Sequence, residues 1–199
     1  MITLQSQDPF RTSARFQQEI ERFHLRTFEL ALDIDTDVFF ARPTQGWSVA
    51  ENYTHITGVC HTMRLIFSPL HNPATWVMRK APDERPDLKE FMKEYHAGLE
   101  KGFRSGPFTP AREEAADADS ARLRQATILE KWKDSWQPLA ENVGRYSDSE
   151  LISRQFYHPL LGRIPLIEAA YMAIFHSIHH LQKAEKKAGT TLLPPFFLD

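Results

Sequence analysis

The chain has 199 residues, with 24 basic and 26 acidic side chains and a formal net charge of −2. An apolar fraction of 42% with 25% charged residues is that of a soluble globular protein and excludes a disordered one. Acids and bases are interspersed without a basic stripe, and no apolar run approaches the ~18 residues of a membrane span, so neither a nucleic-acid nor a membrane partner is supported. The length suits a single domain over residues 1–199 around one sizeable core.

In chain order, Met1 to Ser6 lacks the basic start and apolar run of a signal peptide, which predicts a cytoplasmic chain. Phe16, Ile20, Phe23, Thr27, Leu30, Ala31 and Ile34 recur at helical spacing and predict a first helix over 8–34. Residues 35–47 read as a loop with a turn at Pro43 to Gly46. Ser48-Val-Ala-Glu51 is a capping box that opens a second helix running to about Phe67. Val49, Ile56, Val59, Met63, Ile66 and Phe67 form its buried arc, with His55 at the edge of that arc and His61 on the polar side. Cys60, the single cysteine, excludes an internal disulfide framework and reads as a small buried residue. Residues 69–85 are irregular and contain His71 and Trp76. Pro86 suits the first position of an extra helix to about 103, with Leu88, Phe91, Tyr95, Leu99 and Phe103 as its stripe.

Residues 106–118 read as a loop. The next helix starts near Asp119 or Ser120 and buries Ala121, Ile128, Trp132, Ser135, Leu139 and Val143, with a kink at Pro138. Residues 145–163 form a connection without strand-like alternation of useful length. The last helix spans 164–187 and is stopped by Gly189; Pro194, Phe196 and Phe197 close the chain. The pattern is all-α: four long helices plus one inserted.

Three histidines in five residues, His176, His179 and His180, lie in the last helix. With Ala173 at the centre of its apolar face, His180 falls within about 40° and His176 within about 60°, whereas His179 sits near 240° beside Glu168, Gln182 and Lys183. Periodicity therefore turns His176 and His180 inward, one helical turn apart, and puts His179 on the polar side. His55 is the third candidate, from another helix. Three imidazoles on two facing helices make a mononuclear site for zinc or nickel, with iron(II) the further choice, and leave coordination positions open. The competing reading is three core-edge histidines bonded to carbonyls or water. A di-iron carboxylate bundle needs two Glu-x-x-His motifs; Glu21-Arg-Phe-His24 stands alone, and His24, about 70° off its helix's apolar centre, reads as a boundary residue.

Pro43-Thr-Gln-Gly-Trp47-Ser48-Val-Ala-Glu51-Asn-Tyr-Thr-His55 resembles the Pro-x-x-x-Trp-Ser-x-x-Glu-x-x-x-His segment of the DinB-like (YfiT-like) superfamily. His158-Pro159-Leu-Leu-Gly162, Glu168 and His176-x-x-x-His180 are similar to that family's last third. The resemblance implies an up-down-down-up four-helix bundle, here with an inserted extra helix between the second and third bundle helices (about 69–118). It implies a divalent metal on His55, His176 and His180, and a homodimer. Members with known activity include metal-dependent thiol transferases, a mycothiol-dependent maleylpyruvate isomerase and some hydrolases.

Three functions follow as expectations. The first is a metal-dependent small-molecule transferase using a low-molecular-weight thiol cosubstrate, since the chain offers no apparent nucleophile of its own. The second is a hydrolase that activates water; it needs a general base, for which His158 reads either as a residue at the site rim or, in preference, as a solvent-facing turn residue, and Glu51 is already explained by its cap. The third is a non-catalytic metal-binding or stress protein. Of the remaining aromatics, Trp47 reads as packing before the second helix, and His96 carries no spacing signal. No residue is assigned a catalytic role.

Overall fold

The computed structural model describes residues 9–68, 87–101, 108–114, 117–158 and 160–194. A 3-10 turn at Pro9–Arg11 precedes α1 (Ser13–Leu32), whose N-cap Thr12 accepts from the Arg15 amide at 3.1 Å. The predicted loop after it holds a short helix, α2 (Thr36–Phe40), which drives Phe39 into the core against Tyr53. The turn that follows requires its glycine: Gly46 has φ 96°, and a Cβ there would collide with the Lys187 ammonium.

Helix α3 (Val49–Ile66) begins where the capping box places it. The Glu51 amide donates to Ser48 Oγ at 3.1 Å and the Ser48 amide to Glu51 Oε2 at 2.8 Å. The extra helix is α4 (Leu88–Glu100), capped by Asp87; Pro86 and Phe103 lie outside the described residues, as do His71, Trp76, Phe196 and Phe197. The predicted kink is a break between α5 (Ala118–Ser135) and α6 (Gln137–Val143), because Pro138 has no N–H for the carbonyl one turn back.

The connection before the last helix is more ordered than its sequence predicts. It holds α7 (Asp148–Ser153) and an antiparallel hairpin, β1 (Gln155–His158) with β2 (Gly162–Pro165), in which Gln155 faces Pro165 and His158 faces Gly162. Four-residue strands are too short to display a period of two, and Gly162 turns with φ 69°. Helix α8 (Leu166–Ala188) then runs to Gly189, which caps it in the left-handed conformation.

α8 is the central element: it packs on α1, α3, α4, α7 and the hairpin. That corrects the placement of Glu168 on a polar arc. Glu168 is fully buried and accepts from the Arg11 guanidinium at 3.3 Å, so an ion pair occupies the side that the periodicity left to solvent. Among the described residues no helix is long and apolar enough to cross a membrane.

The core is aromatic at its centre. Trp132 is fully buried, stacks on His24 with centroids 3.9 Å apart, meets Phe23 and Tyr53 edge-on, and donates from Nε1 to Thr27 Oγ1 at 3.0 Å. His24 is thus a core residue, correcting its boundary assignment; α1 buries a second face against α5. Trp132→Ala is expected to cost about 3–5 kcal/mol in urea unfolding. Trp132→Phe, which keeps most of the apolar contact, is expected to lose roughly 1 kcal/mol for the hydrogen bond plus the lost contact area of the larger ring.

Candidate metal centre

Two locally determined helices bring three imidazoles together. His55 lies one turn beyond Glu51 on α3, whose start the capping box fixes; His176 and His180 lie one turn apart on α8, which packs along α3. The ring centroids are 5.2 Å apart for His55 and His176, 4.4 Å for His55 and His180, and 4.6 Å for His176 and His180. One ring nitrogen from each lies within 4.8 Å of the others. Nε2 of His55 and Nε2 of His176 are 3.0 Å apart. Two nitrogens held at ~2.0–2.1 Å by one ion stand roughly 3 Å apart, so this spacing fits a common cation.

The outer nitrogens explain why the inner ones converge. His55 Nδ1–H donates to the Phe108 carbonyl at 2.7 Å, which leaves Nε2 as a lone pair. Segment 108–114 is pinned for this purpose: buried Glu113 accepts from Thr54 of α3 at 3.0 Å and pairs with Arg124 of α5 at 2.7 Å. His180 Nδ1 meets Asn52 Oδ1 at 3.1 Å, and only its N–H form can bond there. His176 Nδ1 and the Tyr95 hydroxyl form a hydrogen bond at 2.9 Å. Each ring therefore has an oxygen partner on its far side, the arrangement that orients histidine ligands and sets their tautomer. Trp47 adds a wall, lying nearly parallel to the His180 ring at 5.4 Å and 4.8 Å from that of His55.

Burial keeps all three rings neutral. It lowers His55 below the ordinary histidine range despite the Phe108 bond, and pushes His176 down to about 3, with the neighbouring histidines adding to the effect. His180 is lowered further, again by burial first and then by His176 and His55. Neutral imidazole is the ligating form, so the three donors need lose no proton near pH 7.

The cluster lies in a cavity of about 420 Å³. Val59, Met63, Ile66, Leu99 and Met172 give it apolar walls, and the hairpin contributes Phe156 and His158. His158 therefore faces the cavity rather than solvent alone. Its ring is 5.7 Å from that of Tyr95, and burial lowers it to about 4.

The other candidates separate from the cluster. His179 is 8% exposed, not on a solvated face as its helical angle predicts; it accepts from Lys183 Nζ at 2.8 Å and lies 5.6 Å from the His96 ring. His96 in turn donates from Nε2 to the Phe175 carbonyl at 2.9 Å, so α4 covers the side of α8 that carries His179. His61 is exposed on the outer face of α3. Cys60 is buried, donates to the Ser135 carbonyl at 3.3 Å and has its thiol pushed up to about 12 by burial. Such a thiol is inert near neutral pH. Glu51 is held by its cap and by Arg42.

Three contributors escaped the sequence, Asn52, Tyr95 and the Phe108 carbonyl, while Trp47 stood in the quoted motif and was read only as packing. Asn52 had a signal, standing three residues before His55 and thus on the same side of α3. Tyr95 sat in a correctly read apolar stripe whose hydroxyl had no partner in view. The Phe108 carbonyl is a backbone group from a loop and carries no residue-type signal.

No curated protein and no solved structure gives a significant match to the chain. A family model described as the DinB superfamily matches residues 19–184, which takes in α1 from Glu19 onward, all of α3 and both cluster histidines of α8. The chain belongs to the DinB superfamily.

Proposed function

We propose that this protein is a metal-dependent transferase acting on a small molecule with a low-molecular-weight thiol as cosubstrate. His55, His176 and His180 hold a divalent cation in this reading, zinc or nickel first on donor type and iron(II) next. The observation that carries it is three neutral imidazoles converging in an open apolar cavity whose described lining contains no cysteine or serine. A cation with three protein ligands keeps positions for exogenous donors and favours the ionised form of a thiol or water placed beside it. The chain's own residues orient and shield: Asn52, Tyr95 and Phe108 fix the rings, Trp47 closes one side, and the apolar walls bind the body of the substrate and exclude water. The reading carries with it an up-down-down-up arrangement of α1, α3, α5 with α6, and α8, with α4 inserted, in a cytoplasmic homodimer.

A hydrolase is the second reading, favoured by His158. Its neutral ring lines the cavity with Nδ1 accepting from the Leu160 amide at 3.2 Å, which leaves Nε2–H to donate to a water and position it. The two readings separate by thiol dependence. Zinc- and nickel-loaded protein is to be assayed against a panel of epoxides, alkyl halides and activated esters, with and without glutathione, cysteine and other cellular thiols. The transferase reading expects turnover only when a thiol is present. Turnover that persists after all thiols are removed would transfer the assignment to the hydrolase, and metal-loaded protein silent in both arms would leave a metal-binding protein without catalysis.

A further inference from the structure

The cavity carries a charge pattern that the metal cluster does not use. Among the described residues lining it there is no aspartate or glutamate, and its charged groups are Lys183 and Lys187. Both belong to α8, three and seven positions beyond His180. With His176 and His180 they form a single stripe at spacings of four, three and four, which the helical repeat keeps on one side. At 1.5 Å per residue, the two lysine backbones stand roughly 5 and 10 Å along the axis from that of His180. The cavity therefore has an imidazole cluster at one end, apolar walls, and ammonium groups toward the end of α8.

Neither ammonium is neutralised by an ion pair among the described residues. Lys183 uses one donor on His179 Nε2, and Lys187 one on the Gln45 carbonyl at 2.7 Å; an ammonium has three. Burial and then the neighbouring Lys187 lower the Lys183 ammonium from the ordinary lysine range, while Glu100 of α4, which is not part of the lining, acts to raise it. Lysines near a helix C-terminus are common for their interaction with the dipole. That accounts for their place in the sequence but not for the presence of both in the lining of the cavity, with each ammonium fixed by one acceptor, His179 for Lys183 and the Gln45 carbonyl for Lys187. An apolar cleft whose fixed charges are all of one sign selects the opposite sign in its ligand.

Building on the reading of this cavity as the substrate site, we propose that it binds a small, largely apolar organic anion. The carboxylate lies on Lys183 and Lys187, and the apolar body points toward His55, His176 and His180. The anionic group stands apart from the reacting end, so it serves recognition and orientation, and the same scaffold without it is a poor ligand.

The test is calorimetric titration of the full chain with three probes of one size: 4-phenylbutyrate, its neutral amide, and 4-phenylbutylamine. Each is run on zinc-loaded and chelator-stripped protein, with zinc per chain measured separately. The expected result is an affinity for the carboxylate at least tenfold above the amide and the amine in both metal states. Lys183→Gln with Lys187→Gln is expected to bring carboxylate and amide within about twofold while zinc content stays at the wild-type level. Lys183→Glu with Lys187→Glu is expected to make the amine the best ligand. Equal affinity for the three probes in the wild-type chain overturns the proposal, as does a carboxylate preference that survives both double variants. A preference seen only with zinc present also overturns it, since the carboxylate would then be reading the metal. Zinc content below one per chain, with the preference intact in stripped protein, counts against the metal reading and leaves the lysine site standing.

Discussion

Replacing His55 and His180 together by alanine is expected to abolish stoichiometric zinc binding, read as zinc per chain by elemental analysis after gel filtration. The two residues come from different helices, so the double variant removes one ring from α3 and one from α8 and leaves only His176. The fold is expected to survive. Both rings border a cavity rather than fill the aromatic centre around Trp132, and unfolding in urea should remain cooperative. Single substitutions grade the effect. Removing an outer-shell partner costs metal sites about 10–100-fold in affinity, which is the loss expected for Asn52→Ala and Tyr95→Phe. A ligand should matter more than its support, so His180→Ala is expected to lose more than about 100-fold. If the double variant kept wild-type zinc content, the ion would be bound elsewhere and the cluster would not be its site.

Acidification is expected to destabilise the metal-free protein, with His24 as the separable contributor. Burial holds His24 at about 3, against an ordinary value of 6.5, even though its Nδ1–H donates to the Ile20 carbonyl at 2.9 Å. Its Nε2 is buried with no hydrogen-bond partner among the described residues. As pH falls below 6.5 the unfolded chain takes up a proton at this position and the folded chain does not. Stability is fully present above pH 6.5 and is lost as pH falls toward 3. One such group contributes about 1.4 kcal/mol per pH unit, or roughly 2 kcal/mol between pH 6.5 and 5. His24→Phe keeps a ring against Trp132 and removes both the titration and the unpaired acceptor. Urea unfolding at pH 7 and pH 5, in the presence of a chelator, is expected to show a smaller acid loss in the variant by about that amount. Equal losses in the two proteins would mean that water reaches Nε2. The histidines of the cluster add to the acid loss in both proteins, so the difference between them isolates His24.

The cluster was legible because two strictly local signals converge on it. A capping box fixed the phase of α3, which set the direction of His55. The 3.6-residue period of the last helix set His176 and His180. What period cannot convey is how many sides of a helix are covered. The same wheel that chose His176 and His180 sent His179 and Glu168 to solvent, because it assigns one buried face, and α8 is surrounded. There the polar side chains are buried in pairs, Glu168 with Arg11 and His179 with Lys183. His24 was misplaced for the same reason, since α1 packs on both α5 and α8. The hairpin at 155–165 escaped because its strands are four residues long, and with it went the reason that His158 borders the cavity. Tyr95 and the Phe108 carbonyl are long-range partners of His176 and His55, separated from them by 81 and 53 residues, and no local pattern records such pairings.

These findings meet at one point in space, and an anomalous-difference map at the zinc edge from crystals of zinc-loaded protein tests it most directly. A single peak is predicted, bordered by Nε2 of His55, His176 and His180, with the Nδ1 atoms of those rings still bonded to Phe108, Tyr95 and Asn52. A map with no peak among the three rings, or with its peak on other side chains, would contradict the account.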